Sequence, residues 1–312
     1  MTDRHADATA PMTVAPSVSL APDGPTLSAV VAGVWRMASW SLDVAARVRW
    51  IEECAGLGVT SFDHADIYGD YRVEALFGQA LAAQPGLRDR LQLVTKCGIK
   101  LVSAERPAHA RKSYDSSPAH VVASVERSLR ALHTDRIDLL LLHRPDLLME
   151  PDALAETFRA LRDAGKVLHV GVSNHSPSQL ALLHRRHAVA TNQIELSPLH
   201  RDALHDGALD QCLDLGLRPM IWSPLAGGRL FTGDDAPARR VRAVLTSLGE
   251  WHGVSAATIA HAWILRHPSR PVPITGSRRL AAIGEAVAAL DVRLSAEEWY
   301  GVWEAGAGHE VP

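Results

Sequence analysis

Four residues near the ends of apolar runs are of the types needed for proton transfer. Asp63 ends such a run, Lys96 and His143 each come directly after one, and Tyr68 follows Asp63 by five positions. In an eightfold parallel barrel the carboxyl ends of all strands lie on one face, and that face carries the chemistry. The sequence therefore predicts that an acid, a tyrosine, a lysine and a histidine meet at one catalytic site.

Together these side chains suit proton donation to a carbonyl oxygen. A tyrosine hydroxyl has a pKa of about 10, so it needs a neighbouring cation to stabilise its phenolate near neutral pH. Lys96 supplies that cation, and Asp63 offsets the cost of burying the lysine charge. His143 would orient the carbonyl oxygen beside Tyr68. Since none of these groups donates electrons, reduction would require a hydride donor such as a nicotinamide cofactor.

Each of the four residues also has a simpler interpretation. Asp63 and Lys96 would form an ordinary structural ion pair, and Tyr68 would cover the rim of the barrel. His143 is one of sixteen histidines in the chain. Their shared position at the ends of successive strands favours a functional site over four unrelated structural roles.

The elements that must position these residues alternate between short apolar runs and helical patterns. Eight strand-like runs are predicted, at Ala29–Ala32, Ser61–Asp63, Leu91–Thr95, Ile137–Leu142, Val167–Val172, Thr191–Leu196, Arg218–Ser223 and Val272–Thr275. This count and alternation predict an α/β fold, a single-domain eightfold (β/α)8 TIM barrel over residues 26–312. An open doubly wound sheet is disfavoured because no Gly-x-Gly-x-x-Gly turn follows the first strand. Residues 1–25 are predicted to be a partly disordered N-terminal extension, and the long 98–116 connection to be functional.

Composition narrows the partners and the compartment. With 312 residues, 47% of them hydrophobic, 21% charged, and a net charge of −3, the chain is typical of a globular protein. There is no run of like charge and no long apolar stretch, so we expect small-molecule partners, with no nucleic acid and no membrane. Three scattered cysteines predict neither a disulfide framework nor a metal site, and a cytoplasmic location follows. The sequence leaves open whether the chain is a monomer or a weak homo-oligomer.

Polar residues at the later strand ends form a second group. Ser173, Asn174 and Gln193 carry hydroxyl and amide groups suited to a carboxamide, and Trp222 is suited to stacking on a planar ring. After the last strand, the segment from Gly276 to Arg279 lies where many barrels bind phosphate. These positions are the candidate cofactor contacts.

Ordered motifs through most of the chain make it resemble the aldo-keto reductase family, in particular a bacterial branch. The matching segments are Phe62-Asp63-His64-Ala65-Asp66-Ile67-Tyr68-Gly69, Val94-Thr95-Lys96, Leu141-Leu142-His143, Gly171-Val172-Ser173-Asn174, Thr191-Asn192-Gln193, Trp222-Ser223-Pro224-Leu225 and Ile274-Thr275-Gly276-Ser277. The resemblance implies NADPH-dependent carbonyl reduction, with Tyr68 as proton donor. It also implies a set of cofactor contacts at Ser173, Asn174, Gln193, Trp222, Ser223, Leu225, Gly227, Arg229, Gly276, Ser277 and Arg279.

Departures from the family pattern bear on cofactor choice and substrate. Gly276, Ala282 and Ala286 stand where many members have a basic residue, an arginine and an asparagine that hold the adenosine 2′-phosphate and adenine. Of the basic residues here, Arg279 is the better remaining candidate, so NADPH is expected and NADH is possible. The substrate pocket is predicted to include Trp35, His64 and Tyr114.

A reductase is one of several classes of function that these residues allow. The resemblance also covers barrel subunits that bind the cofactor and regulate ion channels without significant turnover. A Schiff-base aldolase would use Lys96 as its nucleophile. A metal hydrolase is the least favoured class, because the first strand lacks paired histidines.

Overall fold

A closed barrel of eight parallel strands is the centre of the computed structural model, which describes residues 13–312. The strands are β1 Ser17–Ser19, β2 Thr26–Ser28, β3 Val31–Gly33, β4 Ser61–Asp63, β5 Gln92–Cys97, β6 Ile99–Lys100, β7 Ser113–Tyr114, β8 Ile137–Leu142, β9 Val167–Ser173, β10 Asn192–Glu195, β11 Met220–Trp222 and β12 Val272–Thr275. Around the barrel the order is β3, β4, β5, β8, β9, β10, β11, β12, and β12 pairs with β3. The predicted eightfold barrel is confirmed.

Helices follow the barrel strands, and three of them begin at capping residues recognisable in the sequence. They are α1 Val44–Gly56, α2 Tyr68–Tyr71, α3 Val73–Ala83, α4 Pro118–Ala131, α5 Pro151–Asp163, α6 Pro177–His184, α7 Ala208–Asp214, α8 Arg229–Thr232, α9 Ala236–His252, α10 Ala256–Leu265, α11 Leu280–Ala288 and α12 Ala296–Ala307. Asp43 and Ser117 accept hydrogen bonds from the first-turn amides of α1 and α4. Ser176 and Gln179 form the capping box of α6. These caps stabilise helix ends whose amides would otherwise lack acceptors.

The N-terminal end of the barrel is closed by a hairpin of β1 and β2. Leu20 and Leu27 from this hairpin are fully buried against Val31, Val94 and Leu139, which lie in the barrel strands. The hairpin crosses the predicted boundary between residues 25 and 26. Of the extension predicted to be partly disordered, residues 1–12 lie outside the described residues.

Most predicted strand limits differ from the observed ones by one or two residues. The predicted Arg218–Ser223 run is longer than the observed β11 at both ends. Pro219 has no amide hydrogen to donate to a neighbouring strand, and Ser223 has a left-handed φ of 52°. The 98–116 connection, here named the β5–α4 loop, is folded back on itself by the antiparallel pair β6 and β7. Among the helices of residues 13–312, none combines the length and the apolar character needed to cross a bilayer.

Candidate active site

Asp63 and Lys96 form a buried ion pair at the carboxyl ends of the neighbouring strands β4 and β5. Lys96 Nζ donates to both Asp63 carboxylate oxygens, at 2.8 and 2.7 Å, and to the backbone carbonyl of His64 at 2.8 Å. Burial pulls the pKa of Lys96 down, but the Asp63 carboxylate and the Tyr68 hydroxyl outweigh it, so this pKa lies above its ordinary value. The lysine therefore carries its positive charge inside the barrel mouth.

Tyr68 completes this group from the segment that follows β4. Its hydroxyl oxygen lies 3.1 Å from Lys96 Nζ and accepts a hydrogen bond from it. Burial is the largest influence on the pKa of Tyr68 and raises it; the Lys96 charge opposes this effect, and the Asp63 charge adds to it. Lys96 thus lowers the pKa of Tyr68, as predicted, but the effect of burial on this pKa is larger. The hydroxyl therefore keeps its proton at neutral pH.

His143 follows β8 directly and packs edge-on against Tyr68. The two ring centroids are 6.0 Å apart with an interplanar angle of 77°. Burial, with the Lys96 and Arg144 charges, holds the pKa of His143 well below its usual value, so the ring is neutral. Its Nδ1 is buried without a hydrogen-bond partner in the part of the chain that the structure describes. The structure thus brings the four predicted catalytic residues together.

A chain of hydrogen bonds links the predicted carboxamide contacts to one another. Trp222 Nε1 donates to Asn174 Oδ1 at 3.1 Å, and Asn174 Nδ2 donates to Ser173 Oγ at 2.7 Å. Ser173 Oγ donates to the backbone carbonyl of Gln193 at 2.9 Å. Asn174 itself has a left-handed backbone conformation, with φ of 56°. The amide and hydroxyl groups of this edge are therefore already oriented.

Gln193 also has a contact that the sequence did not reveal. Its Nε2 donates to Asp63 Oδ1 at 2.8 Å, although the two residues are 130 positions apart. The polar character of the strand that carries Gln193 was the only signal in the sequence for such a contact. That its partner is Asp63 depends on closure of the barrel. Gln193 therefore supports the Asp63 carboxylate in addition to its predicted role.

The segment after β11 has the backbone geometry of an anion-binding turn. Ser223, Ala226, Gly227 and Gly228 all have positive φ, at 52°, 51°, 67° and 102°. A β-carbon added to Gly227 or Gly228 would meet no atom within 4 Å, so the space beside this backbone is open. The amides of Ala226 and Gly228 donate inside the turn, to the carbonyls of Ser223 and Leu225, so the other amides of the turn are the candidates to receive phosphate oxygens. Ser223, Leu225 and Gly227 thus fit a phosphate-bearing cofactor.

The segment after β12 lies beside this turn, because β11 and β12 are neighbours in the barrel. Ser277 Oγ accepts a hydrogen bond from the Arg279 amide at 3.1 Å, and both Gly276 and Arg279 are exposed. Arg279 has no carboxylate partner within residues 13–312. By contrast, Arg229 pairs with Asp235 at 2.9 Å, so its predicted phosphate contact would compete with an existing ion pair.

Two of the three predicted pocket residues lie at the surface of the barrel mouth. Trp35 is 59% exposed after β3, and Tyr114 is 42% exposed in β7. The prediction for His64 is wrong: its ring is fully buried and packs edge-on against Phe77, with centroids 4.5 Å apart. Because successive residues of a strand face opposite sides, Asp63 points into the barrel and His64 points to the helix layer.

Arg144 is a residue of the barrel mouth that lies outside the predicted site. Its guanidinium lies 5.6 Å from the centroid of the Trp222 ring, and Nη1 donates to the His143 carbonyl at 3.2 Å. The available signal was its position directly after the strand-end histidine. Among residues 13–312 there is no cluster of three or more His, Cys, Asp or Glu side chains arranged to hold a metal ion.

Comparisons with known proteins agree with this fold and site. The sequence matches the Aldo/keto reductase family over residues 29–305. It is 46% identical over 288 residues to the oxidoreductase YcsN of Bacillus subtilis, covering 91% of this chain and 96% of YcsN. It is 42% identical over 289 residues to a 6-dehydroglucose reductase of Agrobacterium fabrum, with 91% and 96% covered. A solved structure of a glycerol dehydrogenase from Gluconobacter oxydans matches with a TM-score of 0.80 at 25% identity, over 94% of this chain and 95% of that one.

The chain belongs to the Aldo/keto reductase family. It is an oxidoreductase of that family, built on a (β/α)8 barrel.

Proposed function

We propose that this protein reduces an aldehyde or ketone to an alcohol, with NADPH as the hydride donor and Tyr68 as the proton donor. The observation that carries the proposal is the contact of Lys96 Nζ with both Asp63, at 2.7 Å, and the Tyr68 hydroxyl, at 3.1 Å. A charged lysine beside a protonated tyrosine can stabilise the phenolate that remains after proton transfer.

Each residue of the site has a separate role in carbonyl reduction. The bound cofactor would supply the hydride to the carbonyl carbon. Tyr68 gives its proton to the carbonyl oxygen, and the Lys96 ammonium stabilises the phenolate. Neutral His143, which lies against Tyr68, holds the carbonyl oxygen by a hydrogen bond. The carbonyl compound leaves as an alcohol after gaining one hydride and one proton.

Several residues would hold the cofactor. Asn174 and Gln193 offer amide groups to a carboxamide, and the half-buried ring of Trp222 would stack on the nicotinamide. The open turn at Gly227 and Gly228 would receive the phosphates. Arg279 would contact a 2′-phosphate, which supports NADPH over NADH. Because Ala282 and Ala286 supply no polar contact, NADH remains the second candidate donor.

The relatives support a small carbonyl substrate. One is named a 6-dehydroglucose reductase, and the matching structure is a glycerol dehydrogenase, so both names concern small hydroxylated compounds. We place the reaction in the cytoplasm, where the free and buried cysteines Cys54, Cys97 and Cys212 would stay reduced. The protein would act as a monomer or a weak homo-oligomer.

Intrinsic fluorescence titration tests the proposal. Purified protein and its Tyr68→Phe variant would be titrated with NADPH and with NADH, and both would be assayed with a panel of aldehydes. We expect both proteins to bind NADPH with similar affinity, and the variant to lose carbonyl reduction by at least about 100-fold. Absence of nucleotide binding by the wild type would overturn the proposal. Tight binding without turnover of any aldehyde would instead support a cofactor-binding regulatory subunit.

A further inference from the structure

The segment that carries the proton donor contains three consecutive residues in the left-handed region. After Tyr68, the φ angles of Gly69, Asp70 and Tyr71 are 58°, 58° and 63°. Glycine adopts this conformation freely, but Asp70 and Tyr71 each cost about 1–2 kcal/mol there. Such strain persists at a site only where surrounding contacts impose it. The contacts of Tyr71 show what imposes it here.

Tyr71 is held by the β5–α4 loop through both its hydroxyl and its ring. The Tyr71 hydroxyl accepts a hydrogen bond from the Leu101 amide at 2.8 Å. The Arg106 guanidinium lies 4.5 Å from the centroid of the Tyr71 ring, and the His109 ring packs edge-on at 6.3 Å. Three residues of one loop thus fix one side chain of the catalytic turn.

Asp70 provides a contrast at the preceding position. It has the same left-handed φ, but its side chain is exposed and makes no hydrogen bond or ion pair with residues 13–312. The strain at Asp70 therefore follows from the path of the turn, while the strain at Tyr71 comes with a specific set of contacts.

The contact of Tyr71 with Leu101 and the contact of Tyr68 with Lys96 join the same two segments of the chain. Lys96 and Leu101 belong to one segment, since Leu101 lies five residues beyond the lysine, while Tyr68 and Tyr71 belong to one turn. Lys96 Nζ lies 3.1 Å from the Tyr68 hydroxyl, and the Leu101 amide lies 2.8 Å from the Tyr71 hydroxyl. Inside the turn, the Arg72 amide donates to the Tyr68 carbonyl at 3.1 Å. A displacement of Tyr71 would therefore move Tyr68 relative to Lys96.

The same loop is also fixed beside His143. The amide and hydroxyl of Ser116 both donate to Asp146 Oδ2, at 2.9 and 2.7 Å. Asp146 lies three residues after His143. The β5–α4 loop therefore contacts the segments that carry Tyr68 and His143 at its two ends.

We propose that Tyr71 is a positioning residue for carbonyl reduction: by its contacts with Leu101 and Arg106 it fixes the turn of Tyr68 against the segment of Lys96. The proposal has two parts. Its catalytic half, that Tyr71 affects turnover, rests on the proposed function; its mechanical half, that Tyr71 fixes the turn of Tyr68 to the segment of Lys96, rests on the structure alone. Because proton transfer depends on a close approach of donor and acceptor, a small displacement of the Tyr68 hydroxyl would reduce turnover strongly.

Three variants separate positioning from a purely structural role. Tyr71→Phe removes the hydroxyl and keeps the ring beneath Arg106. Tyr71→Gly relieves the left-handed strain and removes every contact of the side chain. Asp70→Gly is the matched control, because it relieves the same strain and removes no hydrogen bond. Each would be measured for Tm, NADPH affinity, kcat and KM, and for amide hydrogen exchange at Leu101.

We expect Tyr71→Gly to lower kcat by at least about tenfold, with NADPH affinity unchanged. Tyr71→Phe should lower kcat and speed exchange of the Leu101 amide, and Asp70→Gly should do neither. A merely structural role would lower the Tm and leave kcat of the folded variants at the wild-type value. Wild-type kcat in both Tyr71 variants would overturn the proposal.

Failure of the proposed function gives a different result from failure of this inference. If the wild type reduces no carbonyl compound, the catalytic half is overturned together with the proposed function. Unchanged Leu101 exchange in Tyr71→Phe would overturn the mechanical half, whatever the activity of the wild type.

Discussion

Gln193 Nε2 donates a hydrogen bond to Asp63 Oδ1 at 2.8 Å, across the interior of the barrel. In the closed order of strands, β10 and β4 are separated by β11, β12 and β3 on one side and by β5, β8 and β9 on the other. The two residues therefore come from opposite walls. This bond connects the wall of amide groups to the wall that carries the ion pair and the proton donor.

Replacing Gln193 by Glu should make activity depend on pH in a new way. The introduced carboxyl would face Asp63 in a buried site, where a like charge and desolvation raise its pKa above the ordinary value of about 4.3. When the introduced carboxyl is protonated, it can still donate a hydrogen bond to Asp63. When it is ionised, its charge repels the Asp63 carboxylate. We expect kcat of Gln193→Glu to fall relative to wild type as the pH rises through that raised pKa.

The measurement is kcat against pH for the wild type, Gln193→Glu and Gln193→Leu. Gln193→Leu cannot donate at any pH, so its kcat should be reduced by a constant factor. A profile of Gln193→Glu parallel to that of the wild type would show that the bond to Asp63 has no part in turnover.

Removing one partner of the buried ion pair should destabilise the fold. Lys96 and Asp63 side chains are only 1% and 5% exposed, so either one alone would be a buried, unpaired charge. We expect Lys96→Met to lower the free energy of unfolding by about 3–5 kcal/mol, and the double variant Lys96→Met/Asp63→Leu to recover most of it. Urea unfolding followed by circular dichroism measures both; a loss below about 1 kcal/mol in Lys96→Met would contradict the burial argument.

His64 should make the protein sensitive to acid. Burial, with the nearby Lys96 charge, lowers the pKa of His64 from 6.5 to about 3, and neither ring nitrogen has a partner among the described residues. As the pH falls from 6.5 towards 3, the unfolded chain binds a proton that the folded protein does not. Stability is therefore full above pH 6.5 and declines below it, by about 2 kcal/mol at pH 5 from this residue.

His64→Leu should flatten that decline, because the leucine can fill the apolar site beside Phe77 without binding a proton. Denaturant midpoints at pH 7, 6 and 5 would show it. His133→Asn is the control: His133 is exposed and has a left-handed φ of 50°, which asparagine tolerates. The control should keep the wild-type slope. An equal slope in His64→Leu would rule out this residue as a source of acid sensitivity.

The preference for NADPH over NADH should depend on Arg279 and not on Arg278. Arg279 has no ion-pair partner in residues 13–312, whereas Arg278 Nη1 donates to the Trp40 carbonyl at 3.3 Å. A charge-assisted contact with a 2′-phosphate is worth about 1.5–3 kcal/mol, which corresponds to roughly a 10- to 150-fold change in affinity. Arg279→Ala should weaken NADPH binding by this factor and leave NADH binding unchanged.

The readout for Arg279 is the dissociation constant of each nucleotide, measured by fluorescence for wild type, Arg279→Ala and Arg278→Ala. Arg278→Ala should bind NADPH like the wild type. Equal loss of NADPH and NADH affinity in Arg279→Ala would mean that this residue supports the fold of the segment and does not select the phosphate.

Much of the fold was predictable because it follows from local chemistry. The alternation of apolar runs and helical patterns is written in consecutive residues, and caps such as Asp43, Ser117 and Ser176 are recognised by their own side chains. The four catalytic candidates could be grouped because they lie at or just beyond strand ends, and all strand ends of a parallel barrel lie on one face.

Contacts across the barrel were not predictable. Asp63 and His64 are adjacent polar residues at a strand end, and only the register of β4 against β3 and β5 decides that Asp63 faces inward. Likewise, the pairing of Arg229 with Asp235 and the seating of Tyr71 against Leu101 depend on backbone paths that no spacing rule specifies.

The sequence by itself thus determined the class of fold, the order of its elements and the chemical types gathered at one end of the barrel. Tertiary structure decided which of those side chains touch. Closure of the barrel places Gln193 against Asp63, and the β5–α4 loop holds the turn of Tyr68 through Tyr71. The physical reason is range: propensity and capping act over a few residues, whereas these contacts depend on distances of a few ångströms between segments far apart in the chain.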